Sequence, residues 1–282
     1  MMNWDFTVTQ RQRLAELNAT QETLEKTFNN QDERNAFFKT EEACLIRSNK
    51  EALQDLLQNR HLPMLSAVEK RISEWLRDEM GFTQVITPIM LPEVMLAKMG
   101  ITMDHPLRQQ VFWLDGKKCL RPMLAPNLYE MMKSIHRVTR QPVRIFEAGP
   151  CFRKESQGAQ HLNEFTMLNL VEFAGVEKGN QMERLREYAA GAMAAAGLAD
   201  YELMITESEV YGETLDVLIG ELELGSGAYG PHPLDSKWGI FDTTWVGIGF
   251  GMERIAMALG GFSGIKRVGR SLSYLDGNRL NI

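Results

Sequence analysis

The sequence predicts an α+β fold, a mixed and mostly antiparallel sheet flanked by helices, with a helical appendage at its N-terminus. Three observations predict it. Residues 143–175 read as two long strands joined by a polar loop, 156–163, which is a hairpin connection between sheet neighbours. Stretches with helical apolar spacing, such as 64–80 and 183–196, alternate with strand-like runs, so other connections pass through helices. Residues 1–60 are polar, rich in Gln, Asn and Glu, and contain neither Gly nor Pro, unlike the chain that follows.

In chain order, Leu14 and Leu17, then Leu53, Leu56 and Leu57, carry the helical spacing of the appendage, and His61-Leu62-Pro63 marks the joint. The division is therefore an appendage over 1–60 and a main domain over 61–282. Leu65, Val68, Ile72, Trp75 and Leu76 lie on one face of a helix over 64–80 that Gly81 closes. A β-rich run, 82–87, stops at Pro88. Residues 111–114 and 118–121, around Asp115-Gly116, predict a second hairpin. A helix over 122–137 takes Pro126 into its first turn, where the missing N–H costs nothing. After the long hairpin come a helix over 183–196 and a strand over 201–208. In Glu221-Leu222-Glu223-Leu224 both carboxylates emerge on one face. From Trp245 to Leu259 an apolar strand runs through glycines directly into a helix.

The 282 residues are 44% hydrophobic and 24% charged, enough for a sizeable core. With a net charge of -6, a nucleic acid would have to be held by local basic patches and not by the overall field. Candidates are Arg11, Arg13, Lys133, Arg137, Arg140, Lys266, Arg267 and Arg270. Three widely spaced cysteines, Cys44, Cys119 and Cys151, give neither a disulfide framework nor zinc spacing, and suit reduced thiols in the cytoplasm. The N-terminus lacks the apolar segment of a signal peptide, and the apolar stretch 189–199 is too short for a membrane.

Two stretches carry chemistry. In the long hairpin Cys151, Arg153 and Glu155 share one strand face, and Phe165, Met167, Asn169 and Val171 share a face of the return strand. Such a charged face is either a solvated edge or a binding site, because buried charges need partners. In Gly247-Ile248-Gly249-Phe250-Gly251-Met252-Glu253-Arg254 the glycines let a ligand approach the backbone near a helix N-terminus. The spacing lacks the third glycine of a dinucleotide fingerprint, which excludes a Rossmann site. Arg254 in the first helical turn can reach phosphate or lie on a base.

These residues resemble the class II aminoacyl-tRNA synthetases. Phe152-Arg153-Lys154-Glu155 with its loop and return strand resembles their motif 2, Gly247 to Arg254 their motif 3, and Met64 to Met90 is consistent with motif 1, in that order. LRPMLAPNLY, RKESQGAQHLNEFTMLNL, VYGETLDV and the terminal RSLSYLDGNRLNI further resemble the pyrrolysyl-tRNA synthetase family, in the bacterial form whose catalytic part is its own chain. The likeness spans about residues 64–282.

The resemblance implies ATP-dependent activation of pyrrolysine and its transfer to the 3′ end of a cognate tRNA, with Mg²⁺. It implies that Arg153 and Arg254 are catalytic and that Arg153, Glu155, Phe165, Glu223, Ser226 and Arg254 bind ATP. Arg153 would hold the α-phosphate, Glu155 would read the adenine amino group, and Phe165 and Arg254 would sandwich the ring. Glu223 and Ser226 match the family's metal positions. Ala125, Leu128, Tyr129, Met132, Asn169, Val171, Tyr211 and Trp245 would line a deep amino-acid pocket, with Asn169 bonding the substrate amide and Tyr211 closing as a lid. Val171 and Met132 replace the Cys and Leu common in archaeal members and keep the wall apolar. A homodimer through the motif 1 region is implied too. Many archaeal members carry a further N-terminal tRNA-binding domain for which this chain has no room, so RNA contacts come from a separate small protein or from the catalytic chain alone. Two rivals stand beside this reading: a class II synthetase for another bulky amino acid, and a non-enzymatic paralogue that binds RNA or a partner. The presence of Arg153, Glu155, Glu223 and Arg254 speaks against the second.

Overall fold

The computed structural model describes residues 4–154, 158 and 160–282. Glu155, and Ser156, Gln157 and Ala159 of the hairpin loop, lie outside the described residues, and so does the adenine-reading role expected of Glu155.

The appendage opens with a two-residue strand β1 (Trp4–Asp5), helix α1 (Val8–Glu16), a single turn α2 (Gln21–Leu24) and strand β2 (Thr27–Phe28), which pairs with β1. Thr7 and Gln10 form a reciprocal capping box at the start of α1. The long helix α3 (Gln31–Gln58) starts where the Asn30 side chain accepts from Glu33 N–H. Phe6, Leu14 and Phe28 form a small separate core on it. Leu57 departs from the predicted apolar face and is exposed, because none of the described residues covers the last turn of α3 on that side.

Helix α4 (Met64–Glu74) continues as a π-turn over Trp75–Glu79, and its predicted face, Val68, Ile72 and Leu76, is buried. Strand β3 (Thr83–Gln84) pairs in parallel with the first strand of the long hairpin, the one parallel pair among the described strands. Next come β4 (Met90–Pro92), α5 (Glu93–Lys98), α6 (Leu107–Gln110) and β5 (Lys118–Leu120). The predicted hairpin around Asp115-Gly116 is present in shortened form: Leu114 N–H donates to Lys118 O and Leu120 N–H to Phe112 O, both at 2.9 Å, on either side of the Trp113–Cys119 bridge, while β5 pairs on its other edge with β4. The Asp115 carboxylate takes the N–H groups of both Lys117 and Lys118 at 2.7 Å, closing the turn through a side chain.

Helix α7 (Ala125–Thr139) has Pro126 in its first turn. The long hairpin is β6 (Val143–Phe152) and β7 (Glu164–Phe173), paired from Val143↔Phe173 to Phe152↔Glu164. Helix α8 (Gln181–Ala196) ends at Gly197, whose φ of 85° suits only a residue without Cβ. Strands β8 (Glu202–Ser208), β9 (Gly212–Ile219), β10 (Leu222–Gly230) and β11 (Trp245–Gly251) follow, and β11 enters helix α9 (Met252–Leu259) without a loop. A last pair, β12 (Tyr274–Leu275) and β13 (Asn278–Arg279), ends the chain.

The main sheet has seven strands in the order β3-β6-β7-β11-β10-β9-β8. Because side chains alternate along a strand, Leu168 and Leu170 of β7 enter a core covered by α4, α8 and α9, while Val171 and Phe173 enter a second core against α7. The candidate site lies on the second face. The appendage sits on the chain's end: the Asn49 side chain bonds Leu17 O at 3.1 Å and accepts from Arg279 N–H at 2.8 Å. Arg267, proposed from sequence as an RNA contact, is instead buried and donates to Asn18 and to the Ala15 carbonyl, because the appendage covers it.

Candidate active site

A cavity of about 370 Å³ opens over β7, β11 and β10, and it brings together residues more than a hundred positions apart in sequence. Every sequence-predicted site residue within the described chain lines it: Arg153, Phe165, Glu223, Ser226 and Arg254 at one end, and Ala125, Leu128, Tyr129, Met132, Asn169, Val171, Tyr211 and Trp245 at the other. The strand order explains the convergence. Placing β11 between β7 and β10 sets Gly249 opposite both Asn169 and Ser226.

At the polar end Arg153 leaves the tip of β6, donates from Nε to Pro122 O at 2.8 Å and holds its guanidinium 5.4 Å from the Phe165 ring centre. Arg254, in the first turn of α9, donates to Glu223 O at 2.9 Å, and its Nη1 stands 3.5 Å from the Glu223 carboxylate. A flat anionic ligand with an aromatic head would meet two guanidinium groups and one aromatic face here. Glu221, the other carboxylate of the alternating stretch, lies outside the cavity.

Sequence reasoning passed over three acids that organise this end or its neighbour. Glu253 is buried and takes the Thr166 N–H on both carboxylate oxygens at 2.9 and 2.8 Å. Strand β11 stops at Gly251, opposite Met167, so the N–H of Thr166 lies beyond the ladder and the first turn of α9 supplies its acceptor. Burial raises the carboxyl of Glu253 above the ordinary carboxylate range, against the opposing effect of the Thr166 N–H and of Arg270. Arg270 donates to Thr166 Oγ1 at 2.8 Å. Asp216, also buried, accepts from Ser226 Oγ at 2.6 Å and from Thr206. Asp235 accepts from Tyr129 and Trp245. The signal for Glu253 was its place directly before Arg254. Asp216 and Asp235 gave none, because their partners sit on neighbouring strands or, for Tyr129, 106 positions away, where no local period marks the contact.

The apolar end is floored by Tyr129, which stacks on Trp238 with ring centres 5.2 Å apart and meets Trp245 edge-on at 5.4 Å. Asn169 Oδ1 is buried without a hydrogen-bond partner among the described residues, which costs about 1–3 kcal/mol unless a ligand satisfies it. Its amide is wedged against Gly249, where an added Cβ would lie 2.7 Å from Oδ1. A side chain at this position would have to displace the amide. Burial pushes the Tyr129 and Tyr211 hydroxyls upward, so both stay protonated and serve as hydrogen-bonding groups.

For a metal, Glu223 and Ser226 offer oxygen donors at the polar end. Among the described residues no group of three or more His, Cys, Asp or Glu side chains could hold an ion by itself. That pair fits Mg²⁺, which takes one or two protein oxygens and completes its shell with phosphate and water. The Ser226 hydrogen is committed to Asp216, which leaves the hydroxyl lone pairs for a cation. A thiol mechanism does not fit, since burial pushes Cys151 up to about 12 and Cys119 up to about 11.

Of the other basic candidates, Arg11, Arg137, Arg140 and Lys266 are exposed, Arg13 pairs with Glu42 at 2.7 Å and Lys133 with Glu130 at 3.0 Å. No helix among the described residues is long and apolar enough to cross a membrane.

Residues 48–276 match the family model of the tRNA synthetases class II core domain (F). A crystal structure of pyrrolysyl-tRNA synthetase from Desulfitobacterium hafniense superposes with a TM-score of 0.93, is 50% identical, and is matched over 100% of both chains. A second structure of a pyrrolysyl-tRNA synthetase from that organism gives 0.90 and 50%, covering 99% of this chain and 96% of the other.

Proposed function

The chain belongs to the class II aminoacyl-tRNA synthetases, and from that premise we infer that it is a pyrrolysine–tRNA ligase. The observation that carries the substrate assignment is full-length 50% identity to pyrrolysyl-tRNA synthetase, joined to a cavity with a cationic end and a deep apolar end. ATP occupies the cationic end, and pyrrolysine the apolar one.

The chemistry asks for alignment and charge neutralisation, with no side-chain nucleophile. The pyrrolysine carboxylate attacks the α-phosphorus of ATP, the bond to the β-phosphate oxygen breaks, and pyrophosphate leaves. Arg153 faces the α-phosphate and neutralises charge that grows on it. Phe165 and Arg254 take the two faces of the adenine, and Glu155 its amino group. Mg²⁺, held by Glu223 and Ser226, would neutralise phosphate charge. Asn169 satisfies its orphan oxygen by accepting from the substrate amide N–H, while Ala125, Leu128, Met132 and Val171 exclude water from the chain and ring. Tyr211 closes over the ring as a lid. A terminal ribose hydroxyl of the tRNA then attacks the adenylate carbonyl, and AMP leaves.

The assembly is a homodimer through the motif 1 segment, where Ile86, Ile89 and Met90 are exposed, with Val94 of α5 exposed just beyond it. Residues 1–60 form the appendage and 61–282 the catalytic domain. RNA contacts come from this chain or from a separate small tRNA-binding protein. Charged tRNA is consumed in translation, which places the enzyme in the cytoplasm. Incubating the protein with ATP, Mg²⁺, pyrrolysine and its tRNA should yield acylated tRNA, and recovery of uncharged tRNA alone would overturn the assignment.

A further inference from the structure

The connection between β10 and β11, residues 231–244, has no part in the reaction as derived above, yet it presses a buried carboxylate against the inner end of the cavity. Asp235 is 3% exposed and sits in a 3₁₀ turn, Pro233–Trp238. Its Oδ1 accepts from the Tyr129 hydroxyl at 3.2 Å, and its Oδ2 accepts from Trp245 Nε1 at 2.9 Å and from the His232 N–H at 2.7 Å. Tyr129 and Trp245 line the cavity, whereas Asp235 does not. A carboxylate only accepts, so the Tyr129 hydrogen and the indole hydrogen are both fixed from behind the wall.

The same turn grips the lid. His232 Nδ1 accepts from Leu234 N–H at 3.2 Å, so the ring hydrogen is on Nε2, which donates to the Tyr211 carbonyl at 3.0 Å. One short loop thus fixes three aromatic residues of the pocket from outside it. Two donors meeting on one buried carboxylate lock the rings relative to each other, which packing alone leaves adjustable.

We propose that Asp235 is a positioning residue for the amino-acid pocket: it locks Tyr129 and Trp245 into one rigid corner and so sets the preference for a ring-bearing lysine side chain over a slimmer one. This rests on the pyrrolysine reading of the cavity.

The test is pyrophosphate exchange by Asp235→Asn, Tyr129→Phe and the double variant. Pyrrolysine is compared with a short, ringless Nε-acyl-lysine, and the KM for ATP is measured alongside. Asp235→Asn keeps the size but offers one acceptor oxygen where three donors converge. The expected result is a rise of roughly tenfold in the KM for pyrrolysine, a similar loss of preference over the ringless substrate, and an ATP KM within about twofold. The double variant should be no worse than the worse single one, because both remove the same contact. An unchanged substrate preference, or equal losses for both amino acids and for ATP, would overturn the proposal. If Asp235→Asn does not fold, Tyr129→Phe alone carries the test, and unchanged selectivity in that variant overturns it. Failure of the unmodified enzyme to use either lysine derivative would instead overturn the amino-acid reading, and the proposal with it.

Discussion

Arg254 holds Glu223 at two points, its Nη1 donating to the backbone carbonyl at 2.9 Å and standing 3.5 Å from the carboxylate. The contact ties the first turn of α9 to β10, the two elements that bring to one place the cation we propose for the adenine face and the acid we propose for Mg²⁺. Both side chains are partly exposed, so the pair itself contributes little to stability. Its value lies in the alignment.

Glu223→Ala should therefore raise the Mg²⁺ concentration needed for half-maximal exchange by about tenfold, following the loss of one metal oxygen. Its unfolding free energy should stay within about 1 kcal/mol of the parent. Titrating Mg²⁺ at fixed ATP checks the first, and urea unfolding the second. An unchanged Mg²⁺ requirement would remove Glu223 from the metal site.

Arg153→Ala should reduce adenylate formation by about 10²–10³-fold, the range seen when a preorganised transition-state donor is lost. Arg153 keeps contact with Pro122 O and the Phe165 ring through its guanidinium, so the hairpin tip loses a local anchor but no core packing. Circular dichroism should show an intact fold. Activity at the parental level would disprove the role assigned to Arg153.

Asn169 and Gly249 are a matched pair, since an added Cβ on Gly249 would lie 2.7 Å from the Asn169 oxygen. Gly249→Ala should push the amide aside and raise the KM for pyrrolysine. Asn169→Ala should raise it as well, without loss of thermal stability, because the substitution removes a buried oxygen that lacks a partner among the described residues. A fall in melting temperature without a change in KM would show that the amide serves the fold and not the substrate.

Glu147 and Arg121 form an ion pair at 2.7 Å with both side chains 2% exposed, and Thr87 and Asn127 complete the network. The network joins the motif 1 segment, the first turn of α7 and the back of the hairpin. Arg121→Ala should destabilise the protein by about 3–5 kcal/mol, because Glu147 is left as a buried charge without its partner. Chemical denaturation measures this directly, and a loss below about 1 kcal/mol, the scale of an exposed pair, would show that water reaches the site.

The hairpin was legible because a period of two survives in its sequence: Phe165, Met167, Asn169 and Val171 alternate with Thr166, Leu168, Leu170 and Glu172, and the two sets enter different sides of the sheet. The Gly247 to Arg254 junction was legible for a similar reason, as glycines running into a helical period can be read locally. What stayed hidden depends on the order of strands. Tyr129 and Asp235 bond across 106 positions, and Thr166 and Glu253 across 87, and no local period encodes those meetings. The hairpin expected at Asp115-Gly116 is shorter than the sequence suggests for a local reason. The turn signal was genuine, but the Asp115 side chain takes the Lys118 N–H that would have extended the ladder toward the turn.

The most direct test of the central claim is ATP–pyrophosphate exchange run with pyrrolysine and, separately, with each of the twenty standard amino acids. Exchange driven by pyrrolysine, with the standard amino acids near background, is the predicted result. Exchange driven only by a standard amino acid would contradict the account and identify a class II synthetase of another specificity.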